Sequence, residues 1–181
     1  MKVLILALAI LLAGCESAEV RVKSAVVQIQ TEHAGGCSGT FIGPSILLSA
    51  SHCFPVESGV VMIGHTPANI VSMRKDDGDT VIVVLDYQHP AWAKLGKRPK
   101  QGDRLFYYGN PEGISDLLRR GYVIGENERG ILMDMTIGSG DSGAGLFNER
   151  GEVVGVVSGV YHSRGFFHIG LTRPISDGFM D

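Results

Sequence analysis

The chain has 181 residues, 44% of them hydrophobic and 19% charged, with a formal net charge of −3. That length and apolar content suit one globular domain with its own core and exclude a disordered polymer. The mild acidity excludes a broad basic surface for nucleic acid, and the one basic cluster, "KLGKRPK" at 94–100, reads as a solvated linker.

The first predicted element is an export signal. Lys2 precedes the apolar run "VLILALAILLA" at 3–13, which is too short to span a bilayer but suits the hydrophobic region of a signal peptide. The tetrad Leu12, Ala13, Gly14 and Cys15 resembles the lipobox of bacterial lipoproteins, in which a lipid joins the cysteine thiol and the signal is cut just before it. An ordinary secretory peptide cleaved nearby is the plainer alternative. The abrupt change to "ESAEVR" at 16–21 favours the lipobox. The expectation is a signal over 1–14, a lipid on Cys15, and an anchor segment over 15–23. The chain is then exported and tied to a membrane of the bacterial cell envelope, on its periplasmic or outer surface side.

Twenty-five glycines and seven prolines, scattered among short Val/Ile/Leu runs, predict many turns and an all-β fold. Apolar or alternating runs at 25–30, 39–42, 46–49, 59–64, 69–73 and 80–85 read as six strands. The polar segment "DYQHPAWAKLGKRPKQG" at 86–102 interrupts them, and a second six follow at 103–108, 121–125, 131–135, 144–147, 152–158 and 166–171. No 34- or 40-residue repeat is present, which argues against a solenoid. The predicted architecture is two six-stranded antiparallel β-barrels packed together, with any site in the cleft between them. The first covers about 24–85, the linker 86–102, and the second about 103–178. Closure removes the exposed strand edges through which a small β protein would pair with its neighbours.

Three cysteines are an awkward number for an exported protein. With Cys15 assigned to lipid, Cys37 and Cys53 remain as one pair for an oxidising compartment. A zinc site from Cys37, His52 and Cys53 is the rival; it lacks a fourth ligand, and adjacent ligands at 52 and 53 are awkward. The disulfide is preferred, and no metal or cofactor is expected.

The stretch "GSGDSGAG" at 138–145 surrounds Asp141 and Ser142 with four glycines. Without a side chain, Gly140 can turn its N–H, together with that of Ser142, toward an incoming carbonyl oxygen, which is the geometry of an oxyanion hole. A serine hydroxyl needs a general base, and that base needs a partner to fix its tautomer. His52, in "ILLSASHCF" just after a predicted strand, is the candidate base, because a bridge between Cys37 and Cys53 would hold its turn rigidly. His33, His65 and His89 read as surface or loop residues. Asp79 abuts the run "TVIVVL" and is the preferred orienting acid; Asp76 and Asp77 compete with it, each also suiting a turn of "KDDGD", and Asp77 is the fallback.

The motifs "SASHC", "DTVIVVL" and "GSGDSGAGLF", in the order His52, Asp79, Ser142, resemble those of trypsin-like serine proteases, and Cys37 and Cys53 fall where that family has a disulfide beside its histidine. "GDRLFYYGNPEG" at 102–113 and "FNERGEVVGVVSG" at 147–159 further resemble the protease core of the bacterial HtrA branch. The likeness covers roughly 24–176. It implies a serine endopeptidase acting on peptide or protein substrates, with His52 as base, Asp79 orienting it and Ser142 as nucleophile. It also implies that Ser158 steadies the acid and that the strand through Ser158, Gly159 and Val160 pairs with the substrate backbone. By the same analogy Thr136 lies at the floor of the primary specificity pocket, with Val160 and Gly165 on its walls. None of these supplies a charge, so a small or medium apolar residue is expected before the cut. His162 or His168 facing the pocket is the alternative, as in relatives that cut after glutamate or glutamine, but both read as outward-facing loop or barrel residues.

Two departures from the resemblance carry expectations of their own. Trypsin-like zymogens activate when a newly cut N-terminal ammonium pairs with the aspartate before the nucleophile, here Asp141. An acylated Cys15 supplies no such ammonium, so Asp141 has another partner, or a cut such as one between Arg21 and Val22 provides it. HtrA cores usually carry asparagine at that position and are followed by a PDZ domain, which these 181 residues have no room for. A catalytically silent, protease-like module that binds an envelope protein is the alternative from another class, and an esterase could use the same three groups. Nothing in the sequence fixes the oligomeric state.

Overall fold

The computed structural model describes residues 17–32, 34–163 and 166–175, without the side chains of 161–163 and 166–169. The signal segment, Cys15, His33 and Gly165 lie outside the described residues, as do the side chains of His162 and His168. Six strands form the first closed barrel: β1 (Val26–Thr31), β2 (Gly36–Gly43), β3 (Ile46–Ala50), β4 (Val60–Ile63), β5 (Thr66–Lys75) and β6 (Thr80–Leu85). Around it they run β1-β2-β3-β6-β5-β4. The second holds β7 (Arg104–Gly109), β8 (Leu117–Asn127), β9 (Gly130–Met133), β10 (Gly145–Asn148), β11 (Val153–Ser163) and β12 (Phe166–Pro174). Its order, β7-β8-β9-β12-β11-β10, repeats that of the first barrel. Neighbouring strands are antiparallel throughout both barrels.

Strand alternation explains how the barrels meet. β7 is buried along five of its six residues because both of its faces are covered. Leu105 and Tyr107 point into the second barrel, where they join Val123, Ile131, Met133 and Leu146. Phe106 and Tyr108 point the other way, into the cluster built around Phe41, Leu47, Val61 and Val83 of the first barrel. β11 changes phase at a register shift opposite Leu146 and Phe147. Val153 and Val156 therefore join the first cluster while Val154 and Val157 join the second. The first core cluster thus draws residues from both barrels, and packed strands hold the junction between them.

A helix, α1 (Ala18–Lys23), occupies part of the segment expected as an anchor. Ser17 caps it by accepting from the Val20 N–H, and Glu19 near its start and Arg21 and Lys23 near its end suit the helix dipole. Six residues are too few for independent stability, so tertiary contacts hold it. Arg120 makes two hydrogen bonds to Glu19 at 2.6 and 2.7 Å, Lys23 pairs with Asp116 at 3.1 Å, and Val22 is buried. The 86–102 connection is ordered across the surface: Lys94, Leu95 and Gly96 pair with Val153, and His89 stacks on Phe41 with ring centroids 4.3 Å apart.

Candidate active site at the junction of the barrels

His52 sits in a single 3-10 turn, Ser51–Cys53, directly after β3. The Ser51 N–H donates to the Asp79 carbonyl at 3.0 Å, and the Ser51 hydroxyl donates to the Thr80 carbonyl at 2.8 Å. The Cys37–Cys53 disulfide ties the turn to β2, with Cα atoms 6.4 Å apart. Two sulfurs and a ring nitrogen of His52 lie within 4.8 Å of one another, but the disulfide uses both sulfurs, leaving no thiolate for a zinc ion.

Asp79 precedes β6 in the left-handed region, at φ +74°, a conformation that costs energy for a residue with a side chain and must be held by its surroundings. Here it lets both carboxylate oxygens face His52. Oδ1 accepts from the His52 backbone N–H at 3.0 Å, and Oδ2 lies 2.9 Å from Nδ1. The Ser158 hydroxyl, from β11 of the other barrel, donates to the same Oδ2 at 2.5 Å. Asp76 accepts from the Gly78 and Thr80 N–H groups at 2.8 and 2.7 Å, as a turn residue does, and Asp77 is exposed. Of these three acids, Asp79 alone meets the imidazole.

The electrostatics follow from these contacts. The hydrogen bond to Asp79 holds the His52 imidazole above its ordinary 6.5; partial burial opposes the rise, and the carboxylate charge adds to it. Burial is the largest single influence on Asp79 and pushes it up. The hydrogen bonds from His52 and Ser158, with the imidazole charge, together outweigh burial and leave Asp79 below 3.8.

Ser142 lies on a loop gripped by the first barrel. The Ser38 N–H donates to the Ser142 carbonyl at 2.8 Å and the Ser38 hydroxyl to the Gly140 carbonyl at 2.9 Å. Asn110 donates in turn to the Ser38 hydroxyl at 3.0 Å. Gly143, at φ +90°, lies so close to β2 and β3 that a methyl group there would overlap the Ser38 carbonyl and the Ser49 hydroxyl. Gly140 has φ +99°, and a methyl on it would stand 2.6 Å from the Asn110 carbonyl. Among the described residues, the N–H groups of Gly140 and Ser142 donate to nothing, and the Ser142 hydroxyl has no hydrogen bond. The Ser142 carbonyl is 3.8 Å from Cys53 Sγ, which brings Ser142 to the same junction as His52.

Thr136 is exposed, and its carbonyl accepts from the Tyr107 hydroxyl at 2.8 Å. Gly159 and Val160 are partly exposed on β11, and a methyl at Gly159 would meet nothing within 4 Å. Several supporting residues gave no signal in the sequence. Ser38, Ser49 and Asn110 hold the loop, and Tyr107 and Arg119 face the buried Asp141 from β7 and β8. Asn110 stands within a quoted motif and Arg119 within "LLRRG", but their contacts cross 72 and 22 positions of sequence.

Two closed six-stranded antiparallel barrels of one strand order define a double-barrel fold of the chymotrypsin type. The chain belongs to the trypsin-like peptidase domain family, whose description matches residues 37–156. A probable periplasmic serine endoprotease DegP-like of Pseudomonas fluorescens is 35% identical over 125 residues, which is 63% of this chain and 24% of that protein. The chloroplastic protease Do-like 2 of Arabidopsis thaliana is 26% identical over 166 residues, 81% of this chain and 27% of the relative. The chain therefore spans about a quarter of the length of these curated relatives. The crystal structure of a serine endoprotease from Yersinia pestis superimposes with a TM-score of 0.71 at 21% identity, covering 87% of this chain and 61% of that one.

Proposed function

We propose that the chain is a serine endopeptidase that hydrolyses peptide bonds through an acyl-enzyme at Ser142. The observation that carries this reading is the bridged acid. One carboxylate oxygen of Asp79 takes the His52 ring from the first barrel and the Ser158 hydroxyl from the second, so the imidazole is fixed exactly where the barrels meet. With Nδ1–H committed to Asp79, Nε2 is the free lone pair and accepts the Ser142 proton as the oxygen attacks the carbonyl carbon. The negative oxygen that results is stabilised by the Gly140 and Ser142 N–H groups, which have no other partner among the described residues. His52 then gives the proton to the leaving amine, and water releases the acyl group by the same steps in reverse.

Periplasmic relatives support export of this chain, and the Leu12–Cys15 tetrad supports a lipid on Cys15 that tethers the domain to an envelope membrane. Thr136, Gly159 and Val160, with Gly165, bring no charge to the specificity pocket, so cleavage follows a small or medium apolar residue. A mixed peptide library incubated with the protein and with Ser142→Ala tests both statements. The expected result is cuts after such residues by the unmodified protein only. Cleavage after Arg or Lys would refute the pocket assignment, and no cleavage by a folded protein would favour a silent binding module.

A further inference from the structure

Consecutive arginines on β8 point to opposite faces of the second barrel. Arg120, across from Phe106, turns outward to Glu19 of α1, whereas Arg119, across from Tyr107, turns inward. What it meets there is the carboxylate of Asp141, which is fully buried. Asp141 Oδ2 accepts from the Tyr107 hydroxyl at 2.9 Å and from the Gly138 N–H at 2.8 Å, and Arg119 Nε stands 3.7 Å away. Asp141 Oδ1 lies directly over Gly109, where a methyl group would overlap it. Among the described residues, Asp141 Oδ1 and Arg119 Nε have no hydrogen-bond partner. A buried carboxylate requires a cation or full hydrogen bonding, and Arg119 is the cation beside it. The Tyr107 hydroxyl, which burial and the Asp141 charge both drive up, stays a neutral donor to the same oxygen.

From this arrangement we infer that Arg119 is a positioning residue that holds Asp141, and with it the Gly140–Ser142 segment, in its working geometry without any cut N-terminus. The inference rests on the reading of Ser142 as nucleophile. Asp141 is joined by peptide bonds to both Gly140 and Ser142, so movement of its carboxylate turns the two N–H groups that would face the substrate oxygen. An internal guanidinium supplies permanently the charge that a newly formed ammonium would supply only after cleavage. The Arg21–Val22 bond lies inside α1, with Val22 buried, so a cut there would dismantle a packed helix.

A double-mutant cycle on the full chain tests this with a peptide substrate. Arg119→Gln should lower kcat about 30-fold, within the range that a small misplacement of catalytic groups costs, with KM changed less than about threefold. Arg119→Lys should restore most of the loss. In an Asp141→Asn background, where a neutral amide needs no counter-charge, Arg119→Gln should cost less than about threefold more. Arg21→Gln, which blocks a tryptic-type cut before Val22, should leave kcat unchanged. Equal losses from Arg119→Gln in both backgrounds, or an inactive Arg21→Gln protein, would overturn the inference. Should Arg119→Gln alone not fold, the Asp141→Asn background decides: an Arg119→Gln/Asp141→Asn chain that folds supports the assignment, and one that fails to fold as well contradicts it. Failure of the unmodified chain to cleave any peptide would instead refute the reading of Ser142.

Discussion

Asp79→Asn isolates the chemistry from the fold. Asparagine adopts the left-handed backbone about as readily as aspartate, so the φ of +74° is not a barrier to the exchange. Its side chain, however, offers one acceptor where the carboxylate offers two. Asp79 Oδ1 faces one donor and Oδ2 faces two, so the new amide NH2 must confront an N–H or an O–H. If the NH2 takes the Oδ2 place, Nδ1 of His52 becomes the acceptor and the ring proton moves to Nε2, where it can no longer receive the Ser142 proton. Loss of the correct tautomer costs about four orders of magnitude in kcat, equivalent to about 5.5 kcal/mol of transition-state stabilisation. Steady-state cleavage of a chromogenic peptide, with the urea midpoint measured in parallel, separates this from unfolding. Retention of kcat within tenfold of the unmodified protein, or a comparable loss in Asp77→Asn, would refute the assignment of Asp79.

Because Asp79 raises His52 above 6.5, and only the neutral imidazole is a base, kcat/KM should rise with pH through a midpoint above that value; a midpoint below it would contradict the pairing. The same pair governs stability. The raised His52 contributes fully below 6.5 and loses its contribution as pH rises through its folded value, whereas the lowered Asp79 contributes fully above 3.8 and loses it as pH falls through its own. The difference in urea midpoint between the unmodified protein and Asp79→Asn should therefore peak between 3.8 and 6.5, and a flat difference would oppose the account. Removing the bridge with Cys37→Ser and Cys53→Ser, which opens a loop closed across 16 positions, should destabilise by about 3 kcal/mol and lower kcat by loosening the His52 turn; an unchanged midpoint would show that the rest of the fold holds that turn.

The strands were legible because period-two and continuous Val/Ile/Leu runs mark half-buried and fully buried strands. Their ends were less so. β2 begins at Gly36, ahead of the apolar "TFI", because the ladder with β1 continues through glycine, cysteine and serine. β5 runs through Thr66–Lys75 although its residues are mostly exposed, since pairing with β4 and β6 extends it. α1 had no sequence signal strong enough to show, because contacts with Arg120 and Asp116, about a hundred positions away, hold it. At the site, His52, Asp79, Ser142 and Ser158 stood out through short motifs. The support beneath them did not: which of two adjacent arginines turns inward depends on the register of β8 against β7.

The claim at the centre of this account is that Ser142 is a nucleophile activated by His52. Treatment with a fluorophosphonate, followed by peptide mapping in a mass spectrometer, tests it most directly. The account predicts one adduct per chain on Ser142, formed by the unmodified protein and lost in His52→Ala. A folded, unmodified protein that takes up no reagent, or takes it up at another residue, would contradict it.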